Sequence, residues 1–229
     1  MDSKIALKQL KILDKYGKKM RLAAENWQNK FQTLISIILS ARTRDETTIK
    51  VGNLLFKKYS TAEKLSKANI KEIEKIIKPV NFYKNKSRNI LNCAKVLVKK
   101  SNSKVPELFD ELIKLPGVGR KTANVFLAEI GKDTIGVDTH VSHISQKLGW
   151  TKHQKPAQIE KDLESLFPKK YWSKINETLV RFGKTYTSRK EKDDFLEKIK
   201  RFNESNSLIP KPGWKAGREF WEATNILNQ

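Results

Sequence analysis

Along most of this chain apolar residues return after three or four positions, and no stretch alternates convincingly with period two. Phe31, Leu34, Ile35, Ile38 and Leu39 form the widest such face, and a face that wide predicts a buried helix. Ile73, Ile76 and Ile77 repeat the pattern, as do Ile90, Leu91, Ala94, Leu97 and Val98. Val141, Ile144 and Leu148 follow, then Ile159, Leu163 and Leu166, then Trp172, Ile175, Leu179 and Phe182. The spacing predicts an all-α fold of about ten or more helices joined by short turns. Ser60 with Glu63, and Asn69 with Glu72, fit capping boxes at the starts of two short helices, and Pro79 stops the second. Segment 80–83 reads as a loop before a helix over 87–99, and Pro106 opens a helix over 107–113. At 229 residues the chain can bury a substantial core as one or two compact domains.

The stretch Leu115-Pro116-Gly117-Val118-Gly119-Arg120-Lys121-Thr122-Ala123 reads as a tight turn between two helices. Gly117 and Gly119 allow consecutive backbone N–H groups to lie bare at a helix start, where the dipole also favours an anion such as phosphate. Lys121 falls in the first turn of that helix, in a positive field that disfavours an ammonium. Seventeen residues on, Asp138 follows the apolar approach Ile135-Gly136-Val137 and precedes Thr139-His140. An amine and a carboxylate brought to one cleft beside a phosphate clamp point to amine chemistry on a sugar carbon of DNA. The plain alternatives are a common Gly-x-Gly turn with a basic neighbour, and an ordinary helix cap at Asp138 or Thr139.

Lys and Arg number 47 against 25 Asp and Glu, a formal charge of +22. That excess suits a polyanion such as nucleic acid, although lysine enrichment alone also fits a solvated surface. Cys93 is the sole cysteine, which excludes an internal disulfide and any site built from several thiolates. Its neighbours Ile90, Ala94 and Leu97 mark it as a small core residue. His143 and His153 lack metal-ligand spacing, so zinc is not expected. No apolar run approaches membrane-span length and no signal-peptide pattern opens the chain, so the expected location is cytoplasmic and nucleoid-associated.

LPGVGRKTA continued to VDTH resembles the helix-hairpin-helix and catalytic segment of the endonuclease III family of DNA glycosylases, and the likeness runs from about Phe31 to about Tyr186. The resemblance implies two helical lobes with a DNA-binding cleft between them: a six-helix lobe over 31–133, and a second over 1–30 and 134–229. The hairpin would lie at the junction, with Lys121 as catalytic amine and Asp138 as catalytic carboxylate facing it. Leu115, Gly117, Val118, Gly119, Arg120, Thr122 and His140 would contact DNA. The carbonyls of Ile113, Leu115 and Val118 correspond to positions where relatives bind sodium or potassium. The implied partner is double-stranded DNA with a damaged or mismatched base, bound by a monomer. The implied activity is base excision with an abasic-site lyase step, acting on oxidised pyrimidines such as thymine glycol.

This chain departs from the family's pattern in three places. The iron-sulfur cysteines found in many members are absent from 181–189, so no cluster is expected. A helix with Phe195, Leu196, Ile199 and Phe202, and the tail aromatics Trp214, Phe220 and Trp221, are the candidates to order the second lobe instead. Arg42, in the polar turn 40–45, stands where relatives often have glutamine entering the space left by the extruded nucleotide. There it could donate to an orphaned guanine or hold a phosphate. Phe82 stands where an apolar wedge is usually leucine, and a core role is open to it as well. Two other functions remain alongside: a mismatch glycosylase removing thymine or uracil opposite guanine, and a non-catalytic hairpin module that docks onto DNA.

Overall fold

The computed structural model describes residues 1–201. Among them are twelve α-helices, one 3-10 turn at Lys169–Tyr171 and no strand. In chain order the helices are α1 (Ser3–Tyr16), α2 (Lys30–Ser40), α3 (Asp45–Lys58), α4 (Ala62–Ser66), α5 (Ile70–Ile77) and α6 (Tyr83–Lys100). They continue with α7 (Phe109–Leu112), α8 (Arg120–Glu129), α9 (Thr139–Leu148), α10 (Pro156–Leu166), α11 (Trp172–Thr185) and α12 (Arg189–Lys200). None is long and apolar enough to cross a membrane.

The buried apolar side chains gather in two clusters. One draws on α2 to α8 and runs from Ala24 to Leu127, with Trp27 packed against it. The other joins α1 to residues from Ile135 to Ile199. Helix α2 is the axis of the first: every residue from Phe31 to Leu39 is buried, as its continuous apolar face requires. Helix α8 packs on α2 and α7 on one side and on α11 on the other, so it touches both clusters. Its N-terminus therefore lies at the boundary, and that is where Lys121 sits.

Several boundaries differ from the sequence reading. The cap of α4 is Thr61, not Ser60: its side chain accepts from the Lys64 N–H. Asn69 does cap α5, through the Lys71 N–H. Helix α6 begins at Tyr83, four residues early, because Phe82 enters it in the left-handed conformation with no side-chain cap. Helix α7 spans Phe109–Leu112 only, starting after Leu108. Asp138, rather than Thr139, caps α9. Phe202, Trp214, Phe220 and Trp221 lie outside the described residues.

Candidate active site

A cleft of about 1250 Å³ opens between the two clusters, and Lys121, Asp138, His140, Arg42 and Glu129 all line it. Lys121 comes from the first turn of α8, whose N-cap Gly119 supplies no side-chain hydrogen bond, so the leading N–H groups have no side-chain cap. The two hairpin glycines have different roles. Gly117 sits at φ 82°, and a Cβ there would meet Asn89 Cβ at 2.9 Å and Ile38 Cγ2 at 3.2 Å, so backbone and packing both demand glycine. Gly119 has φ −97°, and a Cβ there would meet nothing within 4 Å. Its bare side faces open space, which suits an anion. Leu115 and Val118 have buried side chains, so they offer the hairpin's surface only their backbone. The Leu115 carbonyl accepts the Val118 N–H at 3.0 Å and keeps a second lone pair, which fits a hard monovalent cation. Thr122 is buried and lines the same cleft as Lys121. The Arg120 guanidinium lies 4.9 Å from the Phe109 ring centroid and 3.6 Å from Glu160 Oε1.

Asp138 is delivered by a buried extended segment whose carbonyls are satisfied from both sides. Asn124 Nδ2 of α8 donates to the Ile135 carbonyl at 3.2 Å, and Asn176 Nδ2 of α11 donates to that of Gly136 at 2.6 Å. Thr134 Oγ1 donates to the Asn124 carbonyl at 2.8 Å, tying the segment back to α8. Close approach is the reason for glycine at 136, since a Cβ would fall 2.4 Å from Val125 Cγ2 and 3.3 Å from the Val125 N. The chain then turns into α9 with Asp138 Oδ1 accepting from the His140 N–H at 2.9 Å and the Val141 N–H at 3.0 Å. One carboxylate oxygen thus caps the helix, and Oδ2 stays outside the cap. His140 packs against Gly183 of α11, where a Cβ would lie 2.2 Å from His140 Nδ1. Burial holds the His140 imidazole below its ordinary value; the Asp138 charge opposes this, while Lys192 and Lys184 add to it.

Two ion-pair systems tie the cleft walls together. Lys184 of α11 pairs with Asp45 at the start of α3, joining the two clusters. Arg181 bonds Glu25 at 2.6 Å, the Met20 carbonyl at 3.2 Å and Glu177. Glu129, on the wall beside them, is reached by water yet crowded by protein. That crowding first, then the Glu25 charge, pushes its carboxyl up to about 7 against the pull of Arg181. Nothing in the local sequence singled out Glu129, Asn176 or Gly183, because their partners are distant in the chain. Arg42 and Phe82 are both exposed, at φ 56° and 59°, and the guanidinium lies 5.7 Å from the ring centroid. Phe82 is 58% exposed, which rules out the core role left open for it.

Residues 35–169 match the HhH-GPD superfamily of base excision DNA repair proteins, more than half of the chain. The chain belongs to that superfamily. Endonuclease III of Thermotoga maritima is 43% identical over 155 residues, covering 67% of this chain and 73% of that protein. Among solved structures, a trapped endonuclease III–DNA covalent intermediate in an estranged-adenine complex is 34% identical, with a TM-score of 0.75 over 82% of this chain and 89% of that one. A non-covalent endonuclease III–DNA complex is 28% identical, with a TM-score of 0.76 over the whole of both chains. With this membership the chain is a base excision repair enzyme, a DNA glycosylase and abasic-site lyase.

The residues present do not fit the iron-sulfur cluster held by many relatives. Such a cluster needs several thiolates, and the chain has one cysteine. Cys93 is buried in the first cluster, where desolvation pushes its thiol up to about 12. Among the described residues no group of His, Cys, Asp and Glu could hold a metal ion.

Proposed function

We propose that this glycosylase and lyase removes oxidised pyrimidines such as thymine glycol from duplex DNA through a Schiff base on Lys121. The observation that carries the reading is the meeting of Lys121 and Asp138 in one cleft, delivered by the first turn of α8 and the cap of α9. The target carbon, C1′, is unreachable inside a stacked duplex, so the nucleotide must swing out. Backbone N–H groups at the hairpin hold a phosphate and set the register. A monovalent cation held by the carbonyls of Ile113, Leu115 and Val118 would add positive charge beside that phosphate.

The Lys121 nitrogen forms a bond to C1′ as the bond from C1′ to the base breaks, and the base leaves with that electron pair and gains a proton. Asp138 Oδ2 takes the proton that the amine sheds, and the carboxylate stabilises positive charge building on the sugar. The sugar ring opens to an imine between Nζ and C1′. Loss of a proton from C2′ then expels the 3′ phosphate by β-elimination, and water releases the enzyme.

Borohydride reduction in the presence of an abasic duplex tests the amine. The native chain should give a covalent adduct, and Lys121→Ala should give none. A native chain without adduct would sink the amine assignment. The base is tested with duplexes holding thymine glycol, dihydrouracil, uracil opposite guanine or thymine opposite guanine. Exposed Arg42, with donors that match a guanine edge, favours the mismatch reading as second choice. Preference for the mismatched duplexes would establish that reading over the first.

A further inference from the structure

Lys86 is the most buried lysine among the described residues, 6% exposed, and it lies one turn inside α6. Its amine runs beneath the turn between α2 and α3 and donates to the Leu39 carbonyl at 2.7 Å, to the Ala41 carbonyl, and to Thr43 Oγ1 at 3.2 Å. Two of these acceptors are carbonyls at the end of α2, where a cation complements the dipole. Burying an ammonium against neutral oxygens alone is costly, and the desolvation lowers Lys86 to about 8. A side chain that only filled space would have been apolar.

Thr43 Oγ1 also accepts the Asn81 backbone N–H at 3.2 Å, and Asn81 Nδ2 donates to the Arg42 carbonyl. The amine thus anchors a small network that ties the turn carrying Arg42 to the turn carrying Phe82. Each turn presents its exposed side chain from a left-handed residue, a conformation that neither arginine nor phenylalanine holds without support. The guanidinium lies over the ring at the outer end of this network.

We infer that Lys86 is a positioning residue: it fixes Arg42 and Phe82 as one preformed wedge that enters the duplex where a nucleotide leaves. The inference rests on the duplex reading above, and it names how pair opening is prepared before substrate arrives. A wedge matters only where a base pair must be separated. Base release from a duplex needs it, whereas attack on an abasic site in a single strand does not.

The test is Lys86→Met, which keeps the stem and removes the amine. Single-turnover base release from a thymine glycol duplex should fall about tenfold or more, while adduct formation on a single-stranded abasic oligonucleotide stays within about twofold. Thr43→Val, which removes the shared hydroxyl and leaves the amine in place, should show the same split in smaller measure. Equal losses on both substrates in both variants, or no loss on the duplex, would overturn the role. Should Lys86→Met fail to fold, Thr43→Val and Asn81→Ala decide by the same comparison. A native chain that forms no adduct and releases no base sinks the catalytic reading instead. In that event the fluorescence of 2-aminopurine opposite an abasic site still reads the wedge: it should rise on binding the native chain, and rise less on binding the Thr43→Val variant; equal rises would overturn the role.

Discussion

Asp138 has two roles that one pair of substitutions can separate. Its Oδ1 accepts two backbone N–H groups of α9, at 2.9 and 3.0 Å, and its charge faces the cleft with Lys121. Asparagine keeps an oxygen in the capping position and loses the charge; alanine loses both. Removing such a cap costs about 1–2 kcal/mol, whereas asparagine caps about as well as aspartate. For a chain of this size each kcal/mol moves Tm by about 2–4 °C, so Asp138→Ala should melt about 2–8 °C lower and Asp138→Asn about 1–2 °C lower. Chemistry should follow the charge and ignore the cap. Loss of a group that stabilises charge in the transition state costs about 10²–10³ in rate, and both variants should show it in single-turnover base release. Duplex affinity of Asp138→Asn should stay within about twofold of the native chain. An Asn variant that releases base at near-native rate would show that the residue acts only as a cap, and one that melts as low as the Ala variant would refute the separation of cap from charge.

Gly136→Ala should cost about 1–3 kcal/mol and lower base release, because its Cβ collides with Val125 Cγ2 at 2.4 Å and displaces Asp138. Adding Val125→Ala should restore part of the lost Tm, and a Gly136→Ala protein as stable and active as native would refute the close-approach argument. Glu129 supplies a pH test. With its folded value raised to about 7, it holds a proton between the ordinary carboxylate range and about 7 that the unfolded chain has released. Its contribution to stability is therefore fully present below that window and lost as pH rises through it. The Tm of Glu129→Gln relative to native should climb from about pH 5 to about pH 8, and a flat or falling difference would contradict the assignment. A formal charge of +22 implies counterion release on DNA. Duplex affinity should fall at least about tenfold between about 50 and 200 mM salt, the response to roughly two or more neutralised phosphates, and a flat response would remove the charge argument.

Helix order was legible because burial here repeats at helical spacing: Phe31 to Leu39 could hardly be anything but an interior helix, and it is one. Lys121 and Asp138 could be picked out because each sits at a helix start with its own short-range signature, a glycine turn or a capping side chain. What stayed hidden was held by partners far along the chain. Lys86 looks like one lysine among many until its amine is found 47 residues away, on the Leu39 carbonyl. Asn176 reads as a polar residue within an amphipathic helix, yet it satisfies the Gly136 carbonyl 40 residues earlier. The early start of α6 was missed because a left-handed phenylalanine is a poor prior, and only the surrounding network makes it stable. Cap placement erred by one residue at Ser60 because Thr61 offers the same chemistry one position later.

The order of the second cluster bears directly on the carboxylate. Helix α9 carries Asp138 at its N-terminus, so any looseness in α9 reaches the cleft. Without thiolates to clamp the region after α11, α12 is held by aromatic contacts instead: Phe195 lies 5.1 Å from Tyr16, 5.6 Å from Phe182 and 5.2 Å from Tyr186, centroid to centroid. Polar contacts fix its register along α9, since Asp193 meets His143 Nε2 at 2.6 Å and Lys147 Nζ at 3.1 Å. Tyr16 brings in α1 from the far end of the chain, and Trp150 Nε1 donates to Gln9 Oε1 at 2.6 Å on the same helix. Apolar area carries the energy of this arrangement, and the directional bonds select one docking of α1 and α12 on α9. The second wall of the active cleft therefore depends on residues spread from Gln9 to Ile199, and a substitution at Phe195 would reach Asp138 through α9 without touching the cleft.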